Sequence, residues 1–97
     1  MTIMNQLNLQ SIIPVLKSND VAFAGVFGSF AKGEAHQESD VDLLVRFNQP
    51  KSLFGIVGLE IELSEILGRK VDLVTERALC PHIKESVLAN LQPFYGK

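Results

Sequence analysis

Gly28-Ser29-Phe30-Ala31-Lys32-Gly33-Glu34-Ala35-His36-Gln37-Glu38-Ser39-Asp40-Val41-Asp42-Leu43-Leu44-Val45 is the stretch from which the rest of the chain is read. It opens on a glycine-serine pair, runs through ten residues, and ends on two aspartates that alternate with apolar residues. As a strand, its last part points Asp40 and Asp42 to one face and Val41, Leu43 and Val45 to the other. Two carboxylates at neighbouring same-face positions repel each other unless one protonates or a cation lies between them. A divalent metal is the expected remedy.

Upstream, Val21-Ala22-Phe23-Ala24-Gly25-Val26-Phe27 is a continuous apolar run, which reads as a buried strand ending at Gly28. A Gly-Ser turn between such a strand and a helix offers backbone N–H groups, a hydroxyl and a helix N-terminus to phosphate oxygens. On the dipeptide alone a plain strand-ending turn is the simpler reading; the acids downstream shift it toward phosphate. In that reading Gly28 lets the ligand approach closely, Ser29 donates to a terminal phosphate, and Lys32 brings positive charge to the same triphosphate. Gly28 and Gly33 also have the glycine spacing of a Walker loop. Glu34 stands where that motif requires lysine, which excludes it.

Working outward, Leu9, Ile12, Ile13 and Leu16 recur at helical spacing between Asn5 and Ser18, with Pro14 requiring that the helix begin close before it. Asn19-Asp20 is a turn. Ser29 to Gly33 is expected to form a short turn of helix and Glu34 to Glu38 a polar loop. Asn48-Gln49-Pro50 stops the strand from Val41 to Phe47, and Ser52 caps a helix that reaches Leu67, with Gly68 as its C′ residue. Ile56, Leu59, Leu63, Ile66 and Leu67 form the expected core stripe of that helix. Val71-Asp72-Leu73-Val74 repeats the apolar-acid-apolar pattern and adds Asp72 as a third candidate carboxylate. If this strand lies beside the first acidic one, Asp72 could serve as second-metal ligand, general base, or both; alone it would read as a solvated edge acid. Glu76-Arg77 opens a turn containing Pro81, and Ile83, Val87, Leu88 and Leu91 outline a last helix before Pro93. The expected order is helix, strand, strand, helix, strand, helix.

Composition bounds the class. The 97 residues suit one domain, 1–97, of ordinary globular make-up, with 46% hydrophobic and 21% charged residues. A formal net charge of −2 provides no broad basic footprint for duplex or RNA binding. Cys80 is the only cysteine and cannot form an internal disulfide. With neither a basic-then-apolar leader nor a long apolar run, a soluble cytoplasmic protein is expected. Cys80 and His82 could begin a zinc site, but only His36 remains as a nitrogen or sulfur ligand, so an incidental pair is the better reading. His36 reads as a solvated loop residue, and Phe94 and Tyr95 as residues that pack or meet a partner.

The stretch from Gly28 to Val45, with the later Val71-Asp72-Leu73-Val74, resembles the signature of the polymerase-beta-like nucleotidyltransferase superfamily, and nearly the whole chain is similar to its minimal nucleotidyltransferase (MNT) branch. That resemblance implies an α/β (α+β) fold, a small mixed sheet with helices packed on it. It implies two Mg2+ ions held by Asp40, Asp42 and Asp72, with ATP as donor. Members usually carry arginine where Lys32 stands, so here the charge is kept without a bidentate fork. Stand-alone members are commonly antitoxins paired with a HEPN-domain ribonuclease toxin, which implies AMP transfer to a toxin tyrosine. The chain is too short to enclose its own acceptor, in agreement with that picture. Two other roles share the motif: a binding antitoxin that transfers nothing, and a nucleotidyltransferase acting on a small molecule such as an aminoglycoside.

Overall fold

A computed structural model describes residues 8–28 and 40–96. Ser29, Lys32 and His36, the expected helical turn from Ser29 to Gly33 and the loop from Glu34 to Glu38 lie outside the described residues, as do Asn5 to Leu7. A 3₁₀ turn at Leu9–Ile12 leads into helix α1, Ile13–Ser18, so that Pro14 falls in the first turn of α1. There its missing N–H has no helical partner to lose, which resolves the conflict between proline and helical spacing. Strands β1 (Val21–Phe27) and β2 (Val41–Phe47) follow, then helix α2 (Leu53–Leu67), strand β3 (Val71–Thr75), helix α3 (Pro81–Ala89) and strand β4 (Gln92–Gly96).

The strands form one mixed sheet in the order β3-β2-β1-β4. β1 pairs antiparallel with β2 and β4, and β2 pairs parallel with β3 through the crossover α2. A parallel pair requires such a long connection. Leu9, Ile12 and Leu16 and α2 residues Leu59 and Leu63 pack on Val21, Ala24, Val26, Val41, Leu43, Val45 and Val71, which together form the buried core. Val41, Leu43 and Val45 of β2 thus face the helices, and Asp42 faces away from them on the side of Leu44.

Three expectations change. The sequence places a last helix up to Leu91, a stop at Pro93 and no strand after it; instead Gln92–Gly96 adds an edge strand, β4. Proline is tolerated because an edge strand pairs on one side only, and Phe94 and Tyr95 pack half-buried against the core. Leu91 follows α3 rather than belonging to it, and lies where a Cβ on Gly25 would be 2.8 Å from its Cδ1. The third difference is α2. Leu59 and Leu63 are buried, but Ile66 is 42% exposed, as Ile83 and Leu88 of α3 are also exposed.

The ends of α2 are as the sequence implied. Ser52 Oγ accepts from the Gly55 N–H at 3.1 Å, and Gly68 takes φ +69° while its N–H donates to the Ser64 carbonyl at 2.9 Å. Gly68→Ala should therefore cost about 1 kcal/mol, since a Cβ disfavours the left-handed backbone although nothing crowds it. Denaturant titration would measure it, and an unchanged midpoint would contradict the capping role. Inside α2, Gly55 and Gly58 each weaken the helix by about 1 kcal/mol against alanine. No described helix is long and apolar enough to cross a membrane.

Candidate active site

The parallel register sets Asp42 directly beside Asp72, and Leu43 beside Leu73. Neighbouring strands lie about 4.8 Å apart, and paired residues point their side chains to the same face. Both carboxylates are therefore on the sheet face away from α1 and α2, half-exposed. Asp40 is exposed, one residue before β2 begins, and the Val41 N–H that follows it donates to the Lys70 carbonyl at 2.8 Å. That bond ties the start of β2 to the residue before β3. The fold thus brings together the three acids singled out from the sequence.

β1 delivers the turn to the same place. Phe27 pairs with Asp42, so Gly28 lies one step beyond it, with φ +76°. A Cβ built on Gly28 would overlap Oδ2 of Asp42. The sequence suggested that this glycine admits a ligand; what comes close in the structure is the carboxylate of Asp42 itself. Glycine is thus required twice, for its backbone conformation and for the space that Asp42 fills.

Burial pushes the Asp42 carboxyl above its ordinary value of 3.8, and the negative charges of Asp72 and then Asp40 add to the rise. Both effects disfavour the ionised form. Among the described residues no three His, Cys, Asp or Glu side chains form a ready-made metal cage. The mutual repulsion of these carboxylates would be relieved by a hard divalent cation that takes oxygen ligands. Mg2+ takes oxygen ligands only, retains several waters, and is typically held by one or two carboxylates plus substrate phosphates rather than by a closed protein cage. An all-carboxylate set whose central member is destabilised by its neighbours' charge fits that requirement.

Two residues that the sequence did not single out hold Asp72 in place. The Val71 N–H donates to Ser64 Oγ at 2.9 Å, and the Leu73 N–H donates to Glu60 Oε2 at 2.9 Å. These α2 side chains satisfy the outer edge of β3 on either side of Asp72, while its inner edge pairs with β2. Ser64 and Glu60 are one turn apart, a spacing that places both on one side of a helix. Only knowledge that β3 is an edge strand under α2 would have given that spacing a meaning.

Known proteins are similar to this chain in sequence and in fold. The family model for the nucleotidyltransferase domain matches residues 9–93. A Methanocaldococcus jannaschii protein named as a candidate protein adenylyltransferase is 42% identical over 79 residues, covering 81% of this chain and 85% of that protein. The protein adenylyltransferase MntA of Thermococcus cleftensis is 47% identical over 64 residues, 66% of this chain and 65% of its own length. Among solved structures, a chain from a toxin–antitoxin crystal structure with AMP-PNP superposes with a TM-score of 0.83 at 27% identity, over 94% of this chain and 75% of that one. A chain from the complex of a tri-AMPylated Shewanella oneidensis HEPN toxin with MNT antitoxin has the same fold, with a TM-score of 0.72 at 22% identity, over 100% of this chain and 74% of that one. The matched span takes in the positions of Gly28, Asp40, Asp42 and Asp72, and the chain belongs to the nucleotidyltransferase domain family.

Proposed function

We propose that this chain, as a single domain, is an Mg2+-dependent antitoxin that transfers AMP from ATP to a tyrosine of a HEPN-domain toxin in the cytoplasm. The observation that carries the reading is the in-register pairing of Asp42 with Asp72 beside the Gly28 turn. The relatives named protein adenylyltransferase and the toxin–antitoxin neighbour holding AMP-PNP support the donor and the kind of acceptor.

In this proposal Asp40 and Asp42 hold Mg2+, and Asp72 completes a second Mg2+ position or takes the proton of the attacking phenol. Gly28, Ser29 and Lys32 receive the triphosphate, Gly28 through its backbone, Ser29 through its hydroxyl and Lys32 through its charge. The bound ions would neutralise phosphate charge as the transfer proceeds. The tyrosine oxygen forms a bond to the α-phosphorus while the α–β anhydride bond breaks. Pyrophosphate leaves, and the phenolic proton passes to Asp72 or to water. A toxin so modified gains bulk and negative charge at its RNA site, which opposes RNA binding.

Incubating the chain with ATP, Mg2+ and its cognate HEPN protein tests this by intact mass. Addition of AMP to the partner, lost when Mg2+ is chelated, is the expected result; a partner of unchanged mass would overturn it. Ser29→Ala should lower the transfer rate by about tenfold to a hundredfold, because a hydrogen bond to a charged group contributes roughly 1.5–3 kcal/mol. An unaltered rate would remove Ser29 from the phosphate site.

A further inference from the structure

The face of α2 that points away from the core is apolar where a surface helix is ordinarily polar. At 100° per residue, Phe54, Val57, Gly58 and Ile61 lie opposite Leu59 and Leu63, which are the buried residues of this helix. Phe54 is 91% exposed and Ile61 55%. A Cβ on Gly58 would meet nothing within 4 Å, so nothing in the described packing around Gly58 calls for a glycine there. A helix apolar on both sides is suited to burial on both sides.

We propose that a second copy of this chain covers this face, with the two α2 helices antiparallel about a two-fold axis passing between Val57 and Gly58. The apolar spacing is symmetric about that midpoint. The axis sets Phe54 against Ile61 of the second copy and Val57 over the gap left by its Gly58, and does so in both directions, as an isologous contact requires. Charge selects the same arrangement. α2 has no acid in its first turn and no base in its last. Glu65 instead stands near its C-terminal end, where the helix dipole is already negative. Antiparallel docking carries Glu65 toward the positive N-terminal end of the other helix, whereas parallel docking would set like ends together. A foreign partner would need neither the symmetric spacing nor the reversed charge.

The contact is small, under about 1,200 Å2 in total, so the dimer is a weak one that dissociates in the micromolar range. Sedimentation equilibrium of the full chain across that range should show a monomer–dimer equilibrium, weakened about tenfold or more by Phe54→Glu with the circular dichroism and melting temperature unchanged. In a Cys80→Ser background, Gly58→Cys should cross-link to itself on mild oxidation much faster than Lys84→Cys on α3. A chain that stays monomeric throughout, or a dimer indifferent to Phe54→Glu, would overturn the proposal. So would protection of Phe54 and Ile61 only by a second protein or by this chain's own first seven residues. None of these readouts depends on nucleotidyl transfer.

Discussion

Asp42→Asn is expected to lower AMP transfer about a thousandfold or more while leaving the chain folded. A metal's stabilisation of transition-state charge amounts to several kcal/mol, and each 1.36 kcal/mol is tenfold in rate. Asp42 is the central carboxylate: it pairs with Asp72, contacts the Gly28 turn, and takes up the charge of both neighbouring acids. Its replacement also has a stability signature of opposite sign. The folded state holds the Asp42 proton more tightly than the unfolded chain, whose value is near 3.8. Stability is therefore lost as pH rises from that value through the raised folded one. Asp42→Asn removes this loss, so without metal at neutral pH the variant should melt no lower than the wild type, and any advantage should fade in acid. Added Mg2+ with nucleotide should raise the melting temperature of the wild type more than that of the variant. A variant retaining a tenth of the activity would contradict the central role. Toxin neutralisation that survives the loss of transfer would instead favour a binding antitoxin.

Gly28→Ala should damage both fold and activity. The left-handed backbone at φ +76° costs an L-residue roughly 1–2 kcal/mol, and forcing a Cβ into the space of the Asp42 carboxylate adds about 1–3 kcal/mol. The sum, about 2–5 kcal/mol, is a large part of the 5–15 kcal/mol typical of a domain. The displaced carboxylate should in addition lower the rate about a hundredfold, since a shift near 1 Å in a catalytic group has that effect. Denaturant titration and single-turnover rates on the residual folded protein separate the two. The second substitution Asp42→Asn should then cost much less in the Gly28→Ala background than alone, because the two residues act on one position. Strictly additive effects would mean that Gly28 acts only through the backbone.

Much of this site could be read from residue order. Asp40-Val41-Asp42 and Val71-Asp72-Leu73 each set one acid face against one apolar face, and the structure buries Val41, Leu43 and Val71 with the acids on the other side. Ser52 and Gly68 marked both ends of α2 because caps are local chemistry. What escaped was set by partners distant in sequence. Pro93 reads as the stop after a last helix because proline cannot continue one, yet it lies in β4, an edge strand whose partner, β1, is about seventy residues upstream. Ile66 has helical core spacing, but the sheet buries only Leu59 and Leu63 of the apolar stripe and leaves Ile66 42% exposed. The approach of Asp42 to Gly28 depends on strand register, which neither segment encodes alone.

The central claim is that Asp40, Asp42 and Asp72 gather metal opposite the Gly28 turn. Crystals grown with Mn2+ and a non-hydrolysable ATP analogue test it most directly, through the anomalous signal of the metal. The account predicts peaks in contact with the Asp42 carboxylate, with the nucleotide phosphates between them and Gly28. Metal bound elsewhere, with Asp42 and Asp72 uncoordinated and the phosphates away from the turn, would contradict it.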